Sequence, residues 1–235
     1  MRRALFTVSL IFALGSFIAY ANEPGPLPIP PQGFDYRQGI HPQAVPEDLV
    51  DKPTILEIEN YLFTDRNSGE RRMAGYVDIH AVYDIGIDYL ISAVVDFAGY
   101  PDYAPRILSA RIAEAMGDRY LLHYTVGISF LGFRVAYETV EETIVTRYAD
   151  GSLLTRSRLI DSPDGNLFEH FMSMYLCELR VNGKTMAYIR YYIRPGLRKP
   201  FPGMLAVAKA FTPGESRHQL NALAKEAAKR EKAAR

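Results

Sequence analysis

The sequence holds 235 residues, with 27 basic and 27 acidic side chains and a single cysteine, Cys177. The balanced charge argues against a nucleic-acid-binding protein, which needs a cationic face to hold phosphates. One cysteine excludes an internal disulfide, so the fold has to rest on its core.

Residues 1–21 read as a cleavable secretory signal. Arg2 and Arg3 form the positive end, Leu5 to Tyr20 is apolar apart from small residues, and Ala19-Tyr20-Ala21 supplies the small residues needed for cleavage before Asn22. The apolar run falls short of the roughly 20 residues that span a bilayer, and no later stretch is long and apolar enough to do so. The expected location is periplasmic or secreted. Cleavage removes two arginines and no acid, leaving 25 basic against 27 acidic side chains. Residues 22–53 carry eight of the fifteen prolines and predict a largely extended leader. It either lies along the domain or binds a partner. Residues 54–235 are long enough for one domain with a real core.

Within that domain, Ile55 to Phe63 and Ala74 to Tyr83 alternate as strands, separated by the polar turn Asp65-Arg66-Asn67-Ser68-Gly69. Ile85 to Phe97 switches to helical spacing, with Ile87, Leu90, Ile91, Val94 and Val95 on one stripe. Tyr100 to Arg106 predicts a short helical turn. Six strands follow: Ile107 to Ala115, Tyr120 to Phe130, Phe133 to Tyr148, Ser152 to Ile160, Leu167 to Val181 and Lys184 to Arg194. Their joints are short turns, among them Leu131-Gly132, Asp150-Gly151 and Asn182-Gly183. Asn-Gly between alternating runs is the strongest hairpin signal, because both residues tolerate positive φ. Consecutive tight turns force an antiparallel meander. The chain ends in helix. Met204 to Phe211 is apolar, Thr212-Pro213-Gly214 is expected to interrupt it, and Ser216 to cap a continuation carrying Leu220 and Leu223. The basic end, Lys225 to Lys232, reads as a solvated, fraying terminus, its other reading being a weak transient attraction to anionic lipid headgroups.

This order predicts an α+β fold in which a long antiparallel sheet curls around one C-terminal helix, with two short helices after the first core strand. A curved sheet over a single helix leaves a gap suited to an apolar ligand.

The order, with several local patterns, resembles the helix-grip fold of the START, polyketide-cyclase and Bet v 1-like superfamily. Val94-Val95-Asp96-Phe97-Ala98-Gly99-Tyr100-Pro101-Asp102-Tyr103, completed by Pro105, is similar to that family's joint after its first helix. Gly183-Lys184-Thr185 with Ala187, Ile189 and Tyr191 resembles its last strand. Pro195-Gly196-Leu197 and Phe201-Pro202 resemble its approach to the final helix. The resemblance covers about residues 74–229. It implies binding of lipids, sterols or other hydrophobic molecules beneath the final helix, without a cofactor. In some members it implies cyclisation or dehydration of polyketides instead.

Strand alternation assigns the inner face. The Asn182-Gly183 turn sets Met174 opposite Tyr191, with Met172, Leu176, Ile189 and Ile193 on the same side. The Leu131-Gly132 turn puts Tyr124, Val126, Tyr137, Thr139 and Glu141 inward, and counting through Asp150-Gly151 brings Arg156 and Arg158 to that face. An inward Glu141 opposite one of these arginines would recognise a polar group of the ligand, unless a bulge turns the arginines to water. Tyr100 and Tyr103 are candidates for the cavity entrance. His170 is either a general base or structural. The five histidines form no metal-ligand set, and no metal is expected.

Overall fold

The computed structural model describes residues 37–130 and 133–235. The signal sequence, most of the leader and the Leu131-Gly132 turn lie outside the described residues. Eight strands form one curved antiparallel sheet: β1 (Thr54–Thr64), β2 (Arg71–Tyr83), β3 (Ile107–Met116), β4 (Arg119–Phe130), β5 (Phe133–Arg147), β6 (Leu153–Asp161), β7 (Leu167–Val181) and β8 (Lys184–Arg198). The order is β1-β2-β8-β7-β6-β5-β4-β3. The chain therefore crosses from β2 near one edge to β3 at the other. The crossing is made by α1 (Ile87–Val95), a single 3-10 turn at Phe97–Gly99, and α2 (Tyr100–Tyr103); α3 (Met204–Ala234) closes the chain.

The turns follow their sequence chemistry. Asn182 and Gly183 have φ of 51° and 79°, as a type I′ turn requires. The Asp65 carboxylate accepts from the Asn67 and Ser68 backbone, and Asp150 from Ser152, so each loop is closed by its own first side chain. With Val181 set against Lys184, Met174 pairs with Tyr191 and Leu176 with Ile189, as the turn predicts.

Two expectations change. The final helix is continuous through Pro213, and Ser216 lies inside it rather than capping a new one: its hydroxyl donates to the Thr212 carbonyl at 2.8 Å, and that of Thr212 to the Ala208 carbonyl at 2.7 Å. Pro213 deprives only the Lys209 carbonyl of its helical donor, and Lys209 is exposed to water. Second, Pro195-Gly196 belongs to β8 rather than to the approach to α3. A Cβ at Gly196 would collide with Phe168 and Glu169, so glycine lets the Phe168 ring cross the strand.

The sheet has two differently covered faces. On the concave face, α1 and α3 pack together and Leu90, Val94, Leu220, Leu223 and Ala227 meet Ile79, Ala81, Leu176 and Ile189 in the main core. On the convex face, residues 37–50 lie along the domain. Leu49 is buried with Val82, Val181, Met186 and Tyr188, and Val50 bridges Val82.

A buried polar network fastens this arm. Arg190 donates to both Asp78 oxygens at 3.0 and 2.6 Å, and also to the Gln38 and Gly39 carbonyls at 3.2 Å. His80 lies 3.0 Å from Asp78 and 2.7 Å from the Tyr188 hydroxyl. His41, Glu57 and Asp78 approach one another closely enough to suggest a cation site. Guanidinium groups already engage both carboxylates, Arg37 on Glu57 at 3.2 and 2.9 Å and Arg190 on Asp78, so the acceptors are neutralised within the protein.

Burial alone would raise the Asp78 carboxyl, but His80 and Arg190 against it bring it down from 3.8 to about 2. Its stabilisation is complete above pH 3.8 and is lost as pH falls through about 2. Asp78→Asn leaves Arg190 buried beside an uncharged partner and is expected to lower unfolding stability by about 3–5 kcal/mol in denaturant titrations at pH 7. Lys184→Ala, at the exposed Lys184–Asp84 pair, should leave the midpoint nearly unchanged.

Candidate functional site

The concave face is covered unevenly. The buried apolar residues of α3, Leu220, Leu223 and Ala227, all lie in its second half, and the one other buried residue, Ser216, lies beyond Pro213. In the first half Met204, Leu205, Val207 and Ala208 are only half-buried, and Phe211 is 40% exposed. On the inner side of the sheet Val126, Met172 and Ile193 are likewise only partly buried, although they border the core. The structure thus leaves apolar side chains of helix and sheet short of full contact, where a fully packed core would bring them together.

The floor of this region is polar. Glu141 on β5 is buried, and its Oε1 lies 2.9 Å from His170 Nδ1 on β7 and accepts from the Thr139 hydroxyl at 2.9 Å. The approach of His170 is close enough for an ion pair but is not that of a straight hydrogen bond. Burial alone would depress the imidazole pKa, but the adjoining Glu141 carboxylate more than offsets this and raises it. Burial would equally raise Glu141, but His170 and Thr139 hold it below the ordinary carboxylate range. Both partners therefore favour the charged pair. Tyr124, opposite Thr139 on β4, carries a buried hydroxyl that has no hydrogen-bond partner among the described residues. A buried unpaired hydroxyl is costly and marks a place for an acceptor or donor from outside the chain.

The predicted site residues separate into three groups. Tyr124, Tyr137, Glu141, Met172, Met174 and Tyr191 all stand on the concave face. Tyr100 and Tyr103 are not at an entrance with their hydroxyls available: Tyr100 donates to the Val94 carbonyl at 2.6 Å and Tyr103 to that of Ala93 at 2.7 Å, satisfying the C-terminal carbonyls of α1. The Tyr100 ring still backs Tyr124, stacked at 6.2 Å. Arg156 and Arg158 are corrected to the convex face. The loop between β5 and β6 sets Arg147 opposite Leu153, one residue away from the register that a two-residue Asp150-Gly151 turn gives, so that Arg158 pairs with Glu142 and Arg156 with Ile144. Arg158 donates to Glu142 at 2.6 Å, which also pairs with Arg119. Glu141 is thus answered by His170, not by an arginine. The sequence groups Glu141 with His170 and Arg158 as the plausible acid–base set, and of the two partners it is His170, brought near across β6, that meets Glu141. A separate open groove of about 310 Å³ lies at the second half of α3, lined by Asp51, Tyr83, Asp84, Asn221 and Lys225. Asp51, Asp84 and Lys225 give it charge, and Ile85, Ala224 and Ala228 an apolar side.

The His170 contribution to stability is complete below its ordinary pKa near 6.5 and is lost as pH rises through the raised value; that of Glu141 is complete above 4.5 and is lost as pH falls through the lowered one. The difference in melting temperature between the native protein and Glu141→Gln should therefore be largest between about pH 4.5 and 6.5 and shrink on either side. A difference that does not vary with pH would show that the two groups are not ionised together.

No family model and no curated protein matches the sequence. Solved structures do match. Human StAR-related lipid transfer protein 5 aligns with a TM-score of 0.56 and 12% identity, over 75% of this chain and 86% of that one. A STAR-related lipid transfer protein fragment from Xanthomonas axonopodis aligns with a TM-score of 0.50 and 12% identity, over 74% of this chain and 98% of that one. With its curved antiparallel sheet gripping one long C-terminal helix, this chain shares the helix-grip fold of these two lipid transfer proteins.

Proposed function

We propose that this protein holds a hydrophobic molecule, a lipid or a compound of similar character, between the concave face of the sheet and the first half of α3. The carrying observation is that Val126, Met172 and Ile193 on the concave face are only partly buried, that the buried Tyr124 hydroxyl on the same face has no partner among the described residues, and that the apolar residues of the first half of α3 are themselves not buried. An apolar ligand there removes surface from water on both sides, at about 25 cal/mol per Å². The two lipid transfer proteins of the same fold support the reading. The signal sequence read in residues 1–21 would make the protein periplasmic or secreted, and the activity one of carrying or presenting the ligand through water. Contact with a membrane during loading would be transient.

One observation favours a second reading, an enzyme of the cyclase or dehydratase type. An imidazole held by a buried carboxylate, as His170 is by Glu141, is the arrangement of a general acid–base.

Native mass spectrometry of the protein purified from a lipid-containing extract tests both. The binding reading expects an adduct of one ligand per chain, recovered chemically unchanged. Met172→Trp, which fills the space beneath the half-helix, is expected to lower affinity about tenfold or more. A bare protein that takes up nothing from a broad lipid mixture would sink the binding reading. A ligand released in altered form by the native protein, and unaltered by His170→Gln, would establish the enzyme.

A further inference from the structure

The sheet is open, with β1 at one end and β3 at the other, and the two ends differ. Most of β1 is half-buried, and Arg37 and His41 of the arm engage its Glu57. Most of β3 is exposed. Leu108 and Met116 are each 62% exposed, more than any other large apolar side chain among the described residues, and Ile112 is exposed between them. Leu108 lies across Gly127 of β4 and is still open to water on its other side. An edge strand holds a row of unpaired backbone donors and acceptors, and proline or lysine commonly blunts it. The stretch Ile107–Met116 has neither.

What it has is a bulge in its middle. Ile112 pairs with Leu122 and Glu114 with Leu121, so Ala113 is the extra residue. Arg111 pairs with His123. Leu122 and Tyr124 are concave, so His123 and Leu121 are convex, and Arg111 and Glu114 stand on the convex face with them. Regular alternation would put two residues three apart on opposite faces. The Arg111 guanidinium lies 3.1 Å from His123 Nδ1 on that face, and Glu114 has no ion pair among the described residues.

We propose that β3 pairs antiparallel with β3 of a second copy of this chain, about a two-fold axis between Ile112 and Ala113. In that register Arg111 stands opposite Glu114 of the second copy, and Glu114 opposite its Arg111. Ser109 falls opposite Met116 and Ala110 opposite Ala115. Each pair keeps to one face: Ser109 and Met116 are convex, against Thr125 and Arg119, and Ala110 and Ala115 concave, against Tyr124 and Tyr120. A strand without the bulge, paired about the same axis, would set convex residues against concave ones, because odd and even positions alternate. The bulge therefore makes the edge self-complementary. Pairing centred on Arg111 or on Glu114 would instead place like charges opposite each other, which is destabilising. Met116 of one copy arrives beside Leu108 of the other, so the two most exposed apolar side chains of the strand cover each other. The two curved sheets then join into one, with the convex faces on the same side and both concave sites left outside the contact.

Sedimentation equilibrium of the purified protein over a range of concentrations tests this. A monomer–dimer equilibrium is expected. Arg111→Glu alone, or Glu114→Arg alone, sets like charges opposite each other at both pairs and should weaken dimerisation about tenfold or more. The melting temperature of the monomer should stay nearly unchanged, since both side chains are exposed. The double variant Arg111→Glu/Glu114→Arg exchanges the charges and should restore the dimer. A protein that stays monomeric throughout, which would leave the edge to a different partner or to none, overturns the proposal. So does a dimer that neither single variant weakens, or one that the double variant fails to restore.

Discussion

The two-point ion pair between Arg190 and Asp78 sits where the strands of the sheet and the N-terminal arm meet. It is almost wholly removed from water, and a buried pair of this kind is tolerated only when its remaining donors are also satisfied. Here they are. Two oxygens of Asp78 receive Arg190, His80 stands against the same carboxylate, and the third guanidinium nitrogen turns outward to two carbonyls of the arm. The pair thus requires the arm as much as the arm requires the pair. Without residues 38 and 39, Arg190 would face a convex surface with donors unmet, and Leu49, Met186 and Tyr188 would lose their cover.

The arm accounts for how one sheet supports a partly open concave face. A curled sheet with its only helices on one side ordinarily has to solvate the other. Covering the convex face with residues 37–50 adds a second hydrophobic cluster, so stability does not depend on packing the concave side throughout. The second half of α3, clamped by Arg230 to the Ser92 carbonyl at 2.9 Å and to Asp96 at 2.5 Å, closes one end of that side. The first half is tied through Glu215, just beyond Pro213, which receives Arg106 at 2.8 and 2.6 Å. Between these anchors the sheet and the half-helix keep apolar side chains that the described residues cover only in part.

Much of this was legible in the sequence, and the exceptions have physical causes. Turn chemistry fixes register locally, so Asn182-Gly183 sets Met174 against Tyr191, the eighth pair counted from the turn. Counting fails where a loop holds one residue more than expected, because every later side chain then moves to the other face. Between β5 and β6 the residues Tyr148 to Ser152 separate Arg147 from its partner Leu153, whereas counting from a two-residue Asp150-Gly151 turn brings Arg156 and Arg158 inward. The helix was read as interrupted at Pro213 because proline usually ends one, but an exposed turn lets water satisfy the carbonyl it leaves. The arm's network was not readable at all. Arg37 and His41 find Asp78 and Glu57 only after β1, β2 and β8 have assembled.

The two buried carboxylate pairs show how a polar group in a core divides between structure and function. Asp78 and Glu141 are both buried, and both are held ionised by a cationic neighbour. Around Asp78 the guanidinium donors are answered by carboxylate and carbonyl oxygens, and the network joins strand to strand and arm to sheet. Around Glu141 the accounting is incomplete. His170 meets it as His80 meets Asp78, close but without a straight hydrogen bond, and Tyr124 on the same face keeps a hydroxyl with no partner among the described residues. A half-satisfied network is worse than an apolar core, so its retention inside an otherwise apolar concavity is intelligible only if something completes it. The missing partner has to bring an oxygen or a hydroxyl to Tyr124 and an apolar body to Val126, Met172 and Ile193. That combination describes an amphipathic small molecule better than it describes water alone.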